Sequence, residues 1–524
     1  MGVPGRIRGS NLEASGATKR YTSIRESFGY WHSGVDYVPS MSVIPRVLFV
    51  LAITLVTSPA ISQAKSGKDS KPAPRRNAKK GDFAVFPLGP IGGSAEVEAD
   101  SKEIKILKLL TDGPGARAGL LEGDRIVATW GRPFTPHTRD IDLGGQGPMA
   151  ALGLAIEKAE GSTPGHLDIT VLRQSATRKI RITLPRLGPL ARDYPVDCSK
   201  SRSFYDGICR DLLITRRKDG AWRSQTGEDA TRYVTALCGL ALLGRGDPDH
   251  LPALRRVATF LAGPKRRGYV SADLKNPAGL SNWFICVSGI FLAEYVLATK
   301  DQQWVPTIQH LCDCLASRQT PAGRYGHGIT VGYSGRGFNI INTHAHLLWA
   351  LAGRAGCRID DKAWKKSFDE IAKSTGKNGG VRYWTLQTGY WDSCARTGQM
   401  ALALDLSNRA PELASRMGKY LEKNHLRMRE AHAMGSIGMI FGTAALRRVN
   451  PAGWRRHMDS WRWYINLMRQ PNRSAEYIGG KRNNGGDHYL RTAHVANAIA
   501  GMMLATGFGN LHMCGNDRKG WFRQ

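Results

Sequence analysis

Acidic residues are scarce in this sequence. Its 524 residues contain 43 aspartates and glutamates against 74 lysines and arginines, which gives a formal net charge of +31. A field of that sign attracts nucleic acid, anionic lipid, acidic polysaccharide or acidic protein, although a solvated basic surface without such a partner is the alternative. The sequence has no zinc-finger, RNA-recognition or basic-zipper pattern, so no specific nucleic-acid partner is expected.

Cysteines are too few and too scattered to indicate a dense disulfide framework. All nine lie between Cys198 and Cys514. Because the number is odd, at least one is unpaired within a monomer. Cys198 and Cys209 are candidates for one loop-closing pair, and most of the others occupy apolar helical patterns that are typical of small core residues.

The apolar run near the start of the chain is short. Residues 47–56 are uncharged and apolar, follow a short basic start at Met41, and precede the small residues Ser62 and Ala64. This is the order of an export signal, and the run is too short to remain as a membrane-spanning helix. We therefore expect a signal peptide at 41–64 and an exported protein, periplasmic or extracellular, with no permanent membrane span after cleavage.

Two flanking segments have no pattern of ordered structure. Residues 1–40 show neither helical nor strand periodicity, and we expect that they precede the true start at Met41. An uncleaved internal anchor is the alternative. Residues 65–80 contain seven lysines and arginines and two prolines without a large apolar residue, which predicts a disordered basic linker.

Residues 81–187 have the pattern of a compact α+β domain. Short alternating strands are separated by the turn that begins at Asp112 and by a helix that proline opens at Pro148. The run at 112–126, DGPGARAGLLEGDRI, resembles the signature of PDZ domains. The resemblance implies a PDZ-like domain that binds the C-terminus of a peptide or another protein.

In PDZ domains a glycine-containing loop binds the peptide carboxylate through backbone N–H groups while the peptide extends the sheet. The matching residues here are Leu88, Gly89, Ile91 and Gly92. Pro90 departs from the family pattern because it has no N–H to donate. Docking of this domain to its own chain is therefore the alternative to peptide capture.

From residue 197 to 510 the sequence predicts helical hairpins. Apolar helices rich in small residues alternate with more polar ones, about one hairpin per 50 residues. The predicted inner helices are 230–243, 282–298, 339–351, 391–406, 432–446 and 488–504. The predicted outer helices are 203–213, 250–261, 304–317, 361–374, 410–421 and 454–468, and residues 511–524 are expected to form a C-terminal tail.

Six such hairpins resemble the α/α toroid of squalene cyclases and protein prenyltransferase β-subunits. The fold class expected is thus multidomain, a small α+β PDZ-like domain followed by an all-α (α/α)6 toroid. The whole arrangement resembles an uncharacterised exported bacterial family that joins a signal peptide, a PDZ domain and a toroid, and this family implies no particular activity. Squalene-type cyclases need an aspartate-rich D-x-D-D motif, which the toroid segment lacks, so terpene cyclisation is disfavoured.

In a toroid the N-termini of the inner helices share one rim, where unpaired N–H groups favour anionic ligands. The prenyltransferase resemblance implies a zinc site of an Asp-x-Cys pair with a distant histidine, which Asp392, Cys394 and His494 match. The alternative is structural, with Asp392 as a helix cap and Cys394 as packing.

Histidines and a glycine-rich loop extend the predicted rim. His344, His346, His432, His488 and His494 all fall near the start of predicted inner helices, and the loop before His488 adds Lys481, Arg482 and Asn484. We expect His344, His346 and these loop residues to bind a ligand. A flexible surface turn is the alternative for this loop.

Two classes of function remain open from the sequence. The first is an exported protein that binds a peptide or a polymeric, anionic ligand without chemistry. The alternative is a zinc-assisted hydrolase, lyase or transferase with its site at the rim. In that case Cys394 acts as a ligand or nucleophile, Asp392 as a ligand or base, and His432 or His488 as the proton carrier.

Overall fold

The computed structural model describes most of the chain from residue 83 onward. The described ranges are 83–137, 145–262, 279–329, 337–385, 392–429, 435–478, 490 and 492–522. The predicted signal peptide, the residues before it and the basic linker lie outside these ranges, so export stays a prediction.

The N-terminal domain is an antiparallel sheet with two helices. Its strands are β1 (Phe83–Pro87), β2 (Gly93–Glu98), β3 (Ile104–Leu109), β4 (Arg125–Thr129), β5 (Arg132–Pro133), β6 (His166–Arg173) and β7 (Ala176–Thr183). The helices are α1 (Pro114–Arg117) and α2 (Gly147–Gly161). Alternate residues of β6, Leu167, Ile169 and Val171, are buried, as the two-residue period of a half-buried strand requires.

The strand order leaves no free edge beside β2. The order is β1-β2-β3-β4-β6-β7, and β5 pairs with β4. β1 pairs with β2 along its whole length, from Phe83 opposite Glu98 to Pro87 opposite Ser94, while β3 pairs with the other edge of β2. A peptide therefore cannot extend the sheet at β2 in this arrangement.

The C-terminal domain contains an inner layer of apolar helices. They are α4 (Glu228–Arg245), α6 (Ser281–Thr299), α8 (Asn339–Ala355), α10 (Cys394–Leu406), α12 (Gly435–Ile437) continued by a π-helical turn (Gly438–Gly442) into α13 (Thr443–Val449), and α16 (His494–Phe508). Each packs against the next in this order, and α16 packs against α4. The inner helices thus close into a ring, which confirms the predicted α/α toroid.

More polar helices surround the ring. They are α3 (Ser199–Thr215), α5 (Leu251–Ala262), α7 (Val305–Arg318), α9 (Asp361–Ser374), α11 (Pro411–Lys423), α14 (Pro451–Ser460) and α15 (Arg462–Met468). These helices bury one face, as their alternating apolar and charged residues require, except α15, in which every residue but Arg462 is buried. Among the described residues only α6 is long and apolar enough to cross a membrane, and all of it is buried inside the fold.

Small residues let the inner helices approach closely. Gly398 of α10 faces Gly442 of the π-helical turn, where a Cβ on Gly398 would lie 2.7 Å from the Gly442 Cα. A Cβ on Gly289 of α6 would lie 2.5 Å from the side chain of Leu348 on α8. A larger side chain at either position would push neighbouring helices apart.

The predicted helix positions hold for the described residues, while several bounds differ. The outer helix expected at 454–468 is broken at Trp461 into α14 and α15, and α3 extends the expected 203–213 at both ends. The last inner helix begins at His494 and ends at Phe508, four residues beyond the predicted end. The predicted tail is also part of the fold, because Leu511, His512, Met513 and Cys514 are buried.

The sheet domain docks on α15 of the helical domain. Glu157 of α2 accepts hydrogen bonds from Arg462 (2.9 Å) and Asn466 (3.0 Å). Gly153 of α2 lies against the backbone of Trp463, where a Cβ would come within 2.5 Å of the carbonyl oxygen. These contacts hold α2 and α15 side by side.

Candidate functional site

The first two turns of the inner helices meet around His344. Its Nδ1 lies 2.8 Å from the carbonyl oxygen of Ile340 in the preceding turn of α8. Tyr233 Oη of α4 lies 3.2 Å from Nε2, and the Gln399 amide nitrogen of α10 lies 3.0 Å from the ring nitrogens. The Ile340 carbonyl favours the tautomer with the proton on Nδ1, which leaves Nε2 to accept hydrogen bonds.

His344 is completely buried and neutral. Burial lowers the pKa of His344 to about 4. The ring of Trp283 on α6 lies 5.4 Å away and that of Phe441 in the π-helical turn 5.8 Å away, both edge-to-face. Four inner helices and the π-helical turn therefore contribute one residue each to a single cluster. This supports the prediction that the inner helices begin at a shared rim.

An aromatic row continues outward from this cluster. Trp283 Nε1 donates to His327 Nδ1 at 2.7 Å, and the His327 ring lies 4.4 Å from that of Phe338. Tyr383 stacks with Phe338 at 6.1 Å, and Trp384 follows at 4.8 Å. Trp283 and Phe338 are buried, whereas His327, Tyr383 and Trp384 are only half-buried, so the outer part of the row is open to solvent.

Arginines accompany the aromatic row. The guanidinium of Arg396, in the first turn of α10, lies 5.4 Å from the Tyr383 ring, and its Nε donates to the Val381 carbonyl. Burial lowers the pKa of Arg396 to about 10, so the side chain remains charged at neutral pH. Arg318 Nη1 donates to Ser281 Oγ and Asn282 Oδ1, both at 2.9 Å, at the start of α6. Positive charge therefore sits at the same end of the ring as the helix N-termini.

Asp392 and Cys394 occupy different environments at the start of α10. Ser393, between them, is the N-cap, and its Oγ accepts a hydrogen bond from the backbone N–H of Arg396. Asp392 accepts a hydrogen bond from Asn378 at 3.2 Å. Cys394 is buried, and its Sγ donates to the carbonyl of Asn424 at 3.5 Å. The cap expected of Asp392 is thus formed by Ser393.

The predicted zinc ligands do not come together. Within the described ranges, no group of three histidine, cysteine or acidic side chains could hold a metal ion, and Asp392, Cys394 and His494 all fall within those ranges. The Cys394 thiol donates a hydrogen bond to the carbonyl of Asn424. The backbone carbonyl of His494 accepts a hydrogen bond from a different thiol, that of Cys238. These three residues therefore do not fit the expected metal site.

Other predicted residues lie elsewhere or outside the described ranges. His346 packs edge-to-face on Trp349 and Trp364, away from the His344 cluster, because residues two apart on a helix point in different directions. The catalytic candidates His432 and His488 and the loop residues Lys481, Arg482 and Asn484 lie outside the described residues.

The proposed carboxylate loop is covered by the helical domain. Leu88, Gly89 and Ile91 are buried, and a Cβ on Gly89 would meet the carbonyl oxygen of Asn466 on α15. Gly92 lies against the side chain of Pro471. Leu88 to Gly92 therefore contact their own chain in this structure rather than presenting a binding loop.

Sequence reasoning missed the partners of His344. Tyr233 and Gln399 are far from it along the chain and carry no motif. Tyr383 and Trp384 had a local signal, since they follow the Gly-Gly pair at 379–380 in the segment before α10.

Cys394 provides a direct test of the metal hypothesis. Replacing Cys394 by serine is expected to lower stability by about 1 kcal/mol, because a hydroxyl replaces a buried thiol of similar size. Any zinc that copurifies should remain, since the thiol faces the Asn424 carbonyl. Elemental analysis and urea denaturation of both proteins measure this. Loss of stoichiometric zinc from the variant would restore Cys394 as a ligand.

The chain is distantly similar to several proteins of known structure. One is the GH76A alpha-1,6-mannanase from Salegentibacter sp. HEL1_6, with 12% identity, a TM-score of 0.40, and coverage of 58% of this chain and 98% of that one. Another is the type II terpene cyclase MstE from Scytonema, with 15% identity, a TM-score of 0.36 and coverage of 57% and 97%. The unsaturated glucuronyl hydrolase from Bacillus sp. GL1 has 12% identity, a TM-score of 0.38 and coverage of 58% and 95%.

These sequence identities and TM-scores are too low to assign the activity of any of these three proteins to this chain. A search of curated proteins found no match. A family model matches residues 213–515, more than half of the chain and nearly all of the helical ring, under the description "Domain of unknown function (DUF6288)". The chain therefore belongs to the DUF6288 family.

Proposed function

We propose that the helical ring binds an acidic polysaccharide at the rim where the inner helices begin. The observation that carries the proposal is the position of Tyr383, half-buried between the ring of Phe338 and the guanidinium of Arg396. A flat aromatic face beside a fixed cation suits a ligand that has both ring surfaces and negative charge. The net charge of +31 would draw such a polymer toward the protein.

Binding suits the described residues better than chemistry does. His344 is enclosed and neutral, Cys394 is buried against a carbonyl, and the described acid Asp392 faces an amide. In contrast, the outer aromatic row is accessible and has its arginines in place. A zinc-assisted hydrolase, lyase or transferase, with His432 or His488 as the proton carrier, remains the alternative, but its zinc would need ligands other than the set Asp392, Cys394 and His494.

The sheet domain acts, in this proposal, as a PDZ-like module that docks on its own chain. Both edges of β2 are paired, and the loop from Leu88 to Gly92 lies against α15. Glu157 of α2 adds hydrogen bonds to Arg462 and Asn466. The family resemblance implies capture of a peptide C-terminus, whereas these contacts favour docking.

Replacing Tyr383 by alanine is expected to weaken polysaccharide binding about tenfold, the usual effect of removing an aromatic anchor. Isothermal titration with polygalacturonate, an anionic polysaccharide, and with neutral dextran measures this. The wild-type protein should bind polygalacturonate with an affinity that falls as salt is raised, and it should bind dextran far more weakly.

The matched control is Trp304→Ala, which removes a half-buried aromatic residue beside α7, outside the aromatic row. It should leave the affinity unchanged. Equal binding of both polysaccharides, or an unchanged affinity for the Tyr383 variant, would overturn the proposal. Formation of shorter products during the titration would instead support the enzymatic alternative.

A further inference from the structure

A surface cavity lies beside α3, in the outer layer of helices. Its volume is about 480 Å³, within the range of small-molecule sites. Its lining residues all carry polar or charged side chains, and they are Asp197, Ser199, Arg202, Ser203, Asp206, Arg210 and Arg473. None of these residues belongs to the His344 cluster or the aromatic row.

The balance of charge in this cavity is positive. Arg202, Asp206 and Arg210 follow each other at four-residue intervals, so they form one stripe along α3. Asp206 is already paired with Arg245 at 2.7 Å. Within the described ranges Arg202 and Arg210 form no ion pair, and both are exposed. The cavity is therefore lined by three arginines, whereas Asp197 is its one acid besides the paired Asp206.

Arg473, which lines the cavity, has an unusual backbone conformation. Its φ of 69° lies in the left-handed region, which a side chain as large as arginine seldom adopts. Asp197, on the same cavity, also has positive φ, at 36°. Residues in such conformations persist where the surrounding structure fixes them, and they are concentrated at ligand sites.

The surroundings of Arg473 show how it is fixed. Its backbone presses on α3 at Gly207, where any Cβ would collide with it. The turn that carries it is closed by the bond from Arg473 N to Gln470 O (2.8 Å) and by the Arg469–Ala475 bridge. Arg473 Nη1 donates to Ser203 Oγ at 2.9 Å, which aims the guanidinium along the stripe of arginines.

From this geometry we propose that the cavity binds a small organic anion with at least two negative groups, through Arg202, Arg210 and Arg473. Guanidinium forks match the paired oxygens of carboxylates and phosphates, and the hydroxyls of Ser199 and Ser203 supply further hydrogen bonds. The volume exceeds what a single inorganic ion fills.

Titration with pyrophosphate, citrate and glucose tests the proposal. Pyrophosphate or citrate should bind, and the stronger of the two identifies phosphate or carboxylate as the preferred group, whereas neutral glucose should not bind. Arg473→Gly should weaken binding at least tenfold. Because glycine suits a left-handed backbone, this variant should keep the unfolding temperature of the wild-type protein.

Two further variants separate the site from general charge effects. Lys300→Gly removes one positive charge at another left-handed position, φ 62°, outside the cavity lining, and it should bind the anions as the wild-type protein does. The double variant Arg202→Ala, Arg210→Ala should lose binding as Arg473→Gly does. Failure of both anions to bind, or equal losses in Arg473→Gly and Lys300→Gly, would overturn the proposal.

Discussion

Replacing Glu160 by glutamine should lower the free energy of unfolding by roughly 3–5 kcal/mol, the usual cost of breaking a buried ion pair. Glu160 of α2 lies 2.7 Å from Lys200 Nζ of α3, and its other oxygen contacts Arg469 after α15. All three side chains are no more than 3% exposed. The amide would leave two buried cations without the carboxylate that they share.

The same substitution should change the pH dependence of stability. Burial already lowers the pKa of Lys200, while Glu160 raises it and so opposes this effect. Without Glu160 the pKa of Lys200 falls further in the folded state. The folded protein then binds fewer protons than the unfolded chain, so the variant should regain stability as pH rises toward the ordinary lysine value of 10.5. Urea denaturation at pH 7 and pH 9.5 measures both effects.

Two controls distinguish a buried charge from a lost contact. Asp168→Asn breaks the exposed pair with Arg181 in the same domain, where the side chains are 39% and 63% exposed, and it should cost about 0–1 kcal/mol. Changing Glu160, Lys200 and Arg469 together to methionine should restore most of the stability, because no unpaired charge then remains. A loss below about 1 kcal/mol for Glu160→Gln would contradict a tightly buried triad.

The ring was predictable because each hairpin repeats one local pattern. Small apolar residues at helical spacing mark the inner helices, and glycines such as Gly289 and Gly398 already indicate close packing. The start of α10 was also marked, since Asp392, Ser393 and Cys394 lie where a cap must fall. Local signals of this kind do not depend on what the helix later packs against.

The site was less predictable because its residues meet across the ring. Tyr233, His344 and Gln399 come from three helices separated by more than fifty residues each. The sequence shows that His344 and His346 point in different directions, but the helical period does not show which of them faces inward. Packing against Trp364 of α9 decides this for His346.

The docking of the two domains depends on still more distant residues. Glu160 and Arg469 are 309 positions apart, and neither belongs to a motif. The loop from Leu88 to Gly92 matches a peptide-binding family, whereas its partner Asn466 lies in an ordinary outer helix. Only the tertiary structure shows that this loop is covered.

A second large effect is expected from Glu294, a completely buried carboxyl group on α6. It accepts hydrogen bonds from the backbone N–H groups of His512 (2.9 Å) and Met513 (2.8 Å) and so joins the C-terminal segment to the ring. Burial raises the pKa of Glu294 to about 7, although these bonds and the nearby Arg448 and Arg354 oppose the shift. The ordinary glutamate value is 4.5.

This shift has a definite sign in the stability of the protein. Between pH 4.5 and pH 7 the folded state holds a proton on Glu294 that the unfolded chain releases. Its contribution is therefore fully present below pH 4.5 and is lost as pH rises through about 7, by roughly 3 kcal/mol in total. Glu294→Gln cannot titrate, so the difference in unfolding free energy between the two proteins should change by about this amount from pH 5 to pH 8.

Glu370 of α9 supplies the matched control, because it is a second buried glutamate in the helical domain with the opposite shift. Burial opposes ionisation of Glu370, but hydrogen bonds from Thr385 and Arg324 lower its pKa below 4.5. Glu370 is therefore ionised in both folded and unfolded states above pH 5. The difference between wild type and Glu370→Gln should then stay constant from pH 5 to pH 8, whereas that for Glu294→Gln should slope. Urea denaturation across this range measures both differences in unfolding free energy. If neither difference changed with pH, Glu294 would be ionised in the folded protein and stabilised there by Arg448 and Arg354.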